Sequence, residues 1–97
     1  YVDDMAKACI HVLNSDEDVP SLINIGTGED IEIGEIAKMI AEKMGFRGQI
    51  IFDSDKPDGT MRKLLDISRI KSLGWCPEVS LSEGLDRSIE FYKELKK

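Results

Sequence analysis

Val2, Met5, Ala6, Cys9, Ile10 and Leu13 recur at spacings of three and four, the signature of one apolar face on a helix. Asp3 or Asp4 offers an N-cap oxygen and places negative charge in the first turn. The polar run 14–18 and Pro20 then end the pattern. On this reading Cys9 belongs to the core, and His11 is solvated or partly packed beside the stripe.

Leu22-Ile23-Asn24-Ile25 is a short β-prone run closed by Gly26-Thr27-Gly28, which predicts a strand and a turn. Ile33, Ile36, Ala37, Ile40, Ala41 and Met44 form a second helical stripe, with Lys43 in its last turn and Gly45 as C-cap. Gln49-Ile50-Ile51-Phe52 is the next β-prone run. Strand, helix and strand in this order predict a parallel βαβ unit with a right-handed crossover. Two short strands cannot stand alone, so the unit needs further sheet or helices against its faces.

Beyond the polar loop 53–63, Asp66 is a plausible cap for a short helix carrying Ile70 and Leu73 and stopping at Gly74. Ser80 with Glu83 reads as a capping box. It opens a last helix with Leu81, Leu85, Ile89 and Tyr92 on one face, widened by Phe91 and Leu95. Trp75, Phe91 and Tyr92 are expected in core packing, and Phe46 and Phe52 where the second strand meets its helix.

Charge and composition narrow the classes. Nineteen acidic against 13 basic residues leave a net charge of -6 over 97 residues, which disfavours general nucleic-acid binding. A 41% hydrophobic content supports a folded core rather than a disordered chain. The sequence holds no apolar run of the roughly 18 residues that a membrane span requires. Cys9 and Cys76 form no CxxC pair and favour reduced thiols in a cytoplasmic setting. The single histidine makes a zinc centre improbable. The opening Tyr1-Val2-Asp3-Asp4, without a methionine, suggests a piece of something longer.

Few residues offer chemistry. Gly26-Thr27-Gly28 begins like a dinucleotide fingerprint, but Ile31 stands where the third glycine belongs and Gly34 comes too late. A plain turn is the better account. Residues 53, 55 and 58 are aspartates, yet the closing glutamate of a calcium loop is missing. No nucleophile has a base and orienting partner, so no catalytic residue is assigned. In Lys56-Pro57-Asp58-Gly59-Thr60-Met61-Arg62-Lys63, Pro57 and Gly59 make a tight turn. Asp58 could accept from ribose hydroxyls or a base edge, while Arg62 and Lys63 could face phosphate. A solvated hairpin-like turn accounts for the same residues.

Tyr1-Val2-Asp3-Asp4-Met5-Ala6 and Ile23-Asn24-Ile25-Gly26-Thr27-Gly28 resemble the C-terminal part of extended short-chain dehydrogenase/reductases. The stretch 53–66, with Leu73-Gly74-Trp75 and residues 80–85, is similar to the GDP-L-fucose synthase family within that group. Met61 departs from the family's usual proline. The resemblance implies an α/β fold in which residues 1–97 form a small C-terminal substrate-binding portion, with a short parallel βαβ unit and flanking helices, attached to an N-terminal Rossmann domain.

It further implies NADP(H) held mainly by that N-terminal domain and a GDP-sugar substrate, epimerised at two carbons and then reduced. It also allows a homodimer at full length. Asp58 resembles the substrate-binding aspartate, with Arg62 and Lys63 near the GDP moiety. The family's Tyr-xxx-Lys reduction centre has no counterpart, since Tyr92 and Lys96 match by spacing alone on the last helix. The isolated chain is therefore expected to bind no cofactor and to lack turnover. Another nucleotide-sugar epimerase or dehydratase, or a free-standing nucleotide-sugar binding module, would share several of these features.

Overall fold

The computed structural model describes residues 1–16, 18–55 and 64–96. Among them four helices follow one another: α1 (Val2–Leu13), α2 (Ile33–Met44), α3 (Ser68–Ser72) and α4 (Leu81–Leu95). α2 matches its sequence pattern from end to end. It closes at Gly45, whose left-handed φ of 72° suits a residue without Cβ, and its amide bonds to Glu42 O. α4 starts at Ser80, whose side chain accepts the Glu83 amide at 3.2 Å. Only this half of the capping box forms, because the Glu83 carboxylate turns to Arg87 at 2.6 Å.

The βαβ expectation is corrected: no strand forms among the described residues. Residues 22–25 have no backbone–backbone hydrogen bond there. Instead, Arg69 Nη1 donates to Leu22 O at 2.8 Å, and Asn24 Nδ2 donates to Asp66 O at 3.5 Å. Ile23 and Ile25 are half-buried against the core, so the alternation survives without a ladder. β-prone side chains bias the backbone, but a strand also needs a partner at hydrogen-bonding distance.

The core is small: Ala8, Ile67, Ile70 and Trp75, flanked by Val12, Ile23 and Ile25. It joins α1, α3 and the turn after α3. Trp75, 8% exposed, fulfils its core assignment; Phe91 and Tyr92, 63% and 50% exposed, do not. Phe46 and Phe52 are also exposed, although the Phe52 ring lies over Gly34 of α2. α2 reaches α4 through Lys43, which donates to Ser82 Oγ at 2.9 Å and pairs with Asp86 at 2.7 Å.

α1 is turned differently from its expected orientation. Its N-cap is Tyr1, and no side chain caps it. Asp4 is instead 4% exposed and accepts the amides of Val79 at 2.9 Å and Glu78 at 3.2 Å. Asp4 and Ala8 therefore face inward, one turn apart. His11 Nε2 contacts Leu73 O at 2.6 Å from the same side of the helix. Val2, Met5, Ala6, Cys9, Ile10 and Leu13, the stripe expected to be core, are all exposed. At 100° per residue the two faces lie about 150° apart, so the strongest apolar face points away from this chain's own core.

The exposed surface is large in total. The accessible area is 8169 Å², against about 5,600 Å² for a compact protein of this mass. The Cα radius of gyration is 16.9 Å, against about 12.5 Å for a compact domain of this length.

Two tests follow from the core and its anchor. Trp75→Ala should lower stability by about 3–5 kcal/mol in a urea titration; an unchanged midpoint would remove Trp75 from the core. The amides of Val79 and then Glu78 hold the Asp4 carboxyl below its ordinary value. A depressed carboxylate contributes stability above its unfolded pKa, about 3.9, and loses it as pH falls through the folded value. The advantage of the native chain over Asp4→Asn should thus be full at pH 7 and vanish below the folded pKa. A difference independent of pH would contradict the role of the ionised carboxylate.

Candidate functional site

The expected substrate-binding residues Asp58, Arg62 and Lys63 lie outside the described residues. The chain on both sides of their segment is described. On the near side, Asp53 Oδ1 accepts the amide of Asp55 at 3.0 Å, a local turn made by an aspartate. On the far side, Leu64, Leu65, Asp66 and Ile67 run into α3 along the Gly26-Thr27-Gly28 turn.

That turn explains its glycines by packing. Gly28 has φ 79°, and a Cβ there would stand 3.0 Å from Ile67 Cδ1. At Gly26 a Cβ would come 3.4 Å from Leu65 Cδ1. Gly28 lets the 65–67 run approach the backbone closely, whereas the contact at Gly26 is an ordinary van der Waals one. Thr27 Oγ1 meanwhile receives the Glu29 amide at 3.2 Å and tightens the bend. The turn assignment from sequence is thus supported by a contact that sequence spacing did not reveal.

Asp66 holds the start of α3. Its carboxylate accepts the Ser68 amide at 2.9 Å, and bonds from Ser68 draw the carboxyl below its ordinary value. The helix begins at Ser68 with Ile67 as N-cap, so the expected capping by Asp66 is displaced by one residue. A cleft of about 440 Å³ opens here, lined by Gly28, Leu64, Leu65, Asp66, Ser68 and Lys71 among others. A narrower one of about 190 Å³ runs along Leu22, Asn24, Asp66, Ser68 and Arg69. Asp66 and Ser68 border both. Their carboxylate and hydroxyl, with the Lys71 ammonium, give the larger cleft hydrogen-bonding capacity of both signs. Lys71 was not singled out in the sequence, where nothing distinguishes it from other surface lysines.

A dinucleotide's pyrophosphate finds no fitted cradle. The Gly26–Gly28 turn is filled by Leu65 and Ile67 side chains rather than held open, and α2 begins with Ile33 after a Glu32 cap. The Gly26–Gly28 turn therefore lacks the open glycine cradle of a dinucleotide site. Among the described residues neither Cys9 nor His11 is arranged with a partner base: Cys9 is an exposed thiol outside any disulfide, and His11 is engaged by the Leu73 carbonyl. Among the described residues no helix is long and apolar enough to cross a membrane.

No protein-family model matches the chain. It is 45% identical over 102 aligned residues to the GDP-L-fucose synthase of Escherichia coli, covering 97% of this chain and 32% of that protein. A solved GDP-6-OMe-4-keto-L-xylo-heptose reductase from C. jejuni superposes with a TM-score of 0.85 at 37% identity, over 96% of this chain and 29% of that one. A GDP-mannoheptose C4 reductase from Campylobacter jejuni, solved with NADP bound, gives 0.80 at 38% identity, with coverages of 94% and 29%. The chain thus spans about a third of the length of the relatives it matches, and it corresponds to the C-terminal part of GDP-L-fucose synthases.

The packing of Ile67 on Gly28 is open to test. Gly28→Ala forces a left-handed conformation on an L-residue, at about 1–2 kcal/mol, and crowds Ile67. A urea titration should show that loss, and adding Ile67→Ala should recover part of it. Full stability in the single variant would mean that the turn does not hold the 65–67 run.

Proposed function

We propose that the chain is the substrate-holding C-terminal portion of an NADP-dependent GDP-L-fucose synthase, a longer protein whose N-terminal Rossmann domain carries the cofactor. In this reading the substrate is GDP-4-keto-6-deoxy-D-mannose, which is epimerised and then reduced to GDP-L-fucose. The observation that carries the reading is the match at 45% identity across 97% of the chain to a GDP-L-fucose synthase. The two superposed reductases, both named for GDP-sugars, support the same substrate class.

The chain's own part is positioning. Residues 53–55 and 64–67 are held by the Asp53 turn and by the glycine turn, and these fastenings frame the segment carrying Asp58, Arg62 and Lys63. Asp58 would accept from the nucleoside, while the two cations meet the diphosphate. Binding energy gathered at the remote GDP end can then align the sugar with reacting groups on the other domain. The misfit of the glycine turn to a pyrophosphate supports placing NADP(H) in the upstream part. The free thiols of Cys9 and Cys76 accord with a cytoplasmic setting. The homodimer belongs to the same proposal, and light scattering of the full-length protein should return twice the chain mass.

Asp58→Ala in the full-length protein is the test of the site. The KM for the GDP-keto-sugar should rise about tenfold or more, the loss of one charge-assisted contact, with the Kd for NADPH unchanged. An unchanged KM would remove Asp58 from the site. A parallel loss of NADPH affinity would contradict the division of labour between the two parts.

A further inference from the structure

The cleft of about 440 Å³ beside the glycine turn begins at Leu64, the residue that directly follows Lys63 in the chain. Its volume lies within the range of small-molecule pockets, about 300–1,000 Å³. We propose that this cleft is the base pocket for the GDP-sugar, in which Asp66 reads the guanine N1–H and 2-amino group and Lys71 the O6/N7 edge. The proposal rests on the GDP-L-fucose synthase reading and adds to it the residues that choose the base.

Three features of the cleft point to a nucleobase. Leu64 and Leu65, 40% and 46% exposed, give it an apolar wall suited to the flat face of a purine. Asp66 and Lys71 bring an acceptor and a donor to the same cleft, and among the described residues they form no ion pair with each other. A diphosphate there would meet the Asp66 carboxylate, a repulsive juxtaposition of like charges. The carboxylate is also held in place, since it accepts the Ser68 amide at 2.9 Å. Bonds from Ser68 keep it ionised by holding its carboxyl below the ordinary value. An ionised carboxylate has about four lone-pair sites, so Ser68 leaves capacity for two further donors.

Guanine is the base whose edges answer this set. It presents two neighbouring donors, N1–H and the 2-amino group, that match the two oxygens of a carboxylate. Its O6 and N7 are acceptors for an ammonium. Adenine carries a bare N1 where guanine carries a proton, so a lone pair would face Asp66. Uracil has a single N3–H between two carbonyl oxygens, one of which would confront the carboxylate. The pocket thus selects GDP-sugars by what it repels as well as by what it binds.

Calorimetric titration of the full-length protein with GDP and with inosine diphosphate isolates the 2-amino group, the one difference between the two ligands. The native protein should bind inosine diphosphate about tenfold more weakly, the loss of one charge-assisted hydrogen bond. Asp66→Asn keeps an oxygen for the Ser68 amide, and in this variant the preference should fall to near unity. A residue serving the fold alone would lower both affinities and leave their ratio intact. Lys71→Met should weaken the two ligands equally, because both carry O6 and N7. Equal native affinities would overturn the proposal, as would a native ratio retained in Asp66→Asn or unchanged affinities in Lys71→Met. NADPH-dependent turnover of the GDP-keto-sugar separates this proposal from the function it rests on. An active enzyme indifferent to the 2-amino group defeats only the base pocket, whereas an Asp66-dependent preference without turnover defeats only the reaction.

Discussion

The orientation of α1 depends on one carboxylate. Asp4 receives two backbone amides from residues 74 and 75 positions later in the chain, and that bond pair turns Asp4 and Ala8 inward. Once this face is fixed, 3.6 residues per turn carry the larger apolar stripe outward. The arrangement is costly for an isolated chain and reasonable for a part of something larger. The helix has two usable faces, and the one with the weaker apolar character closes the local core. His11 on the Leu73 carbonyl and the exposed Lys7–Glu78 pair sit along the same seam. An exposed ion pair contributes little, so the amide bonds to Asp4 dominate.

The second constraint is the close approach of residues 65–67 to the glycine turn. It connects the extended run at 22–25 with the start of α3 and places the cleft beside Asp66 and Ser68. The same contact explains why a sequence that opens like a dinucleotide fingerprint does not act as one. Its glycines lie against the side chains of Leu65 and Ile67 of this chain. The described chain on either side of residues 56–63 is held by short-range chemistry: an aspartate turn before and apolar packing after.

What the sequence made legible was mostly local. The limits of α2, its Gly45 cap, the start of α4 at Ser80 and the burial of Trp75 depend on neighbours within a few turns, and these agree with the pattern. The inward face of α1 depends on amides in the loop before α4, far along the chain, and periodicity favoured the opposite face. The two β-prone runs illustrate the same limit. Their side chains favour extension, but pairing is a property of a distant partner, and no ladder forms among the described residues. Phe91 and Tyr92 were assigned to the core on their helical spacing, and α4 leaves both exposed. Asp58, Arg62 and Lys63 stand out in the sequence as charged residues around Pro57 and Gly59 and through family resemblance, and they lie outside the described residues; the packing of residues 65–67 on the glycine turn needed coordinates.

The account stands or falls on where a GDP-sugar sits in the complete protein. A crystal structure of the full-length protein with GDP-sugar bound measures this directly. The nucleotide should lie against residues 56–63, with the Asp58 carboxylate within hydrogen-bonding distance and NADP(H) on the upstream domain. A nucleotide-sugar bound away from that segment would contradict the substrate-holding role, whatever the fold around it.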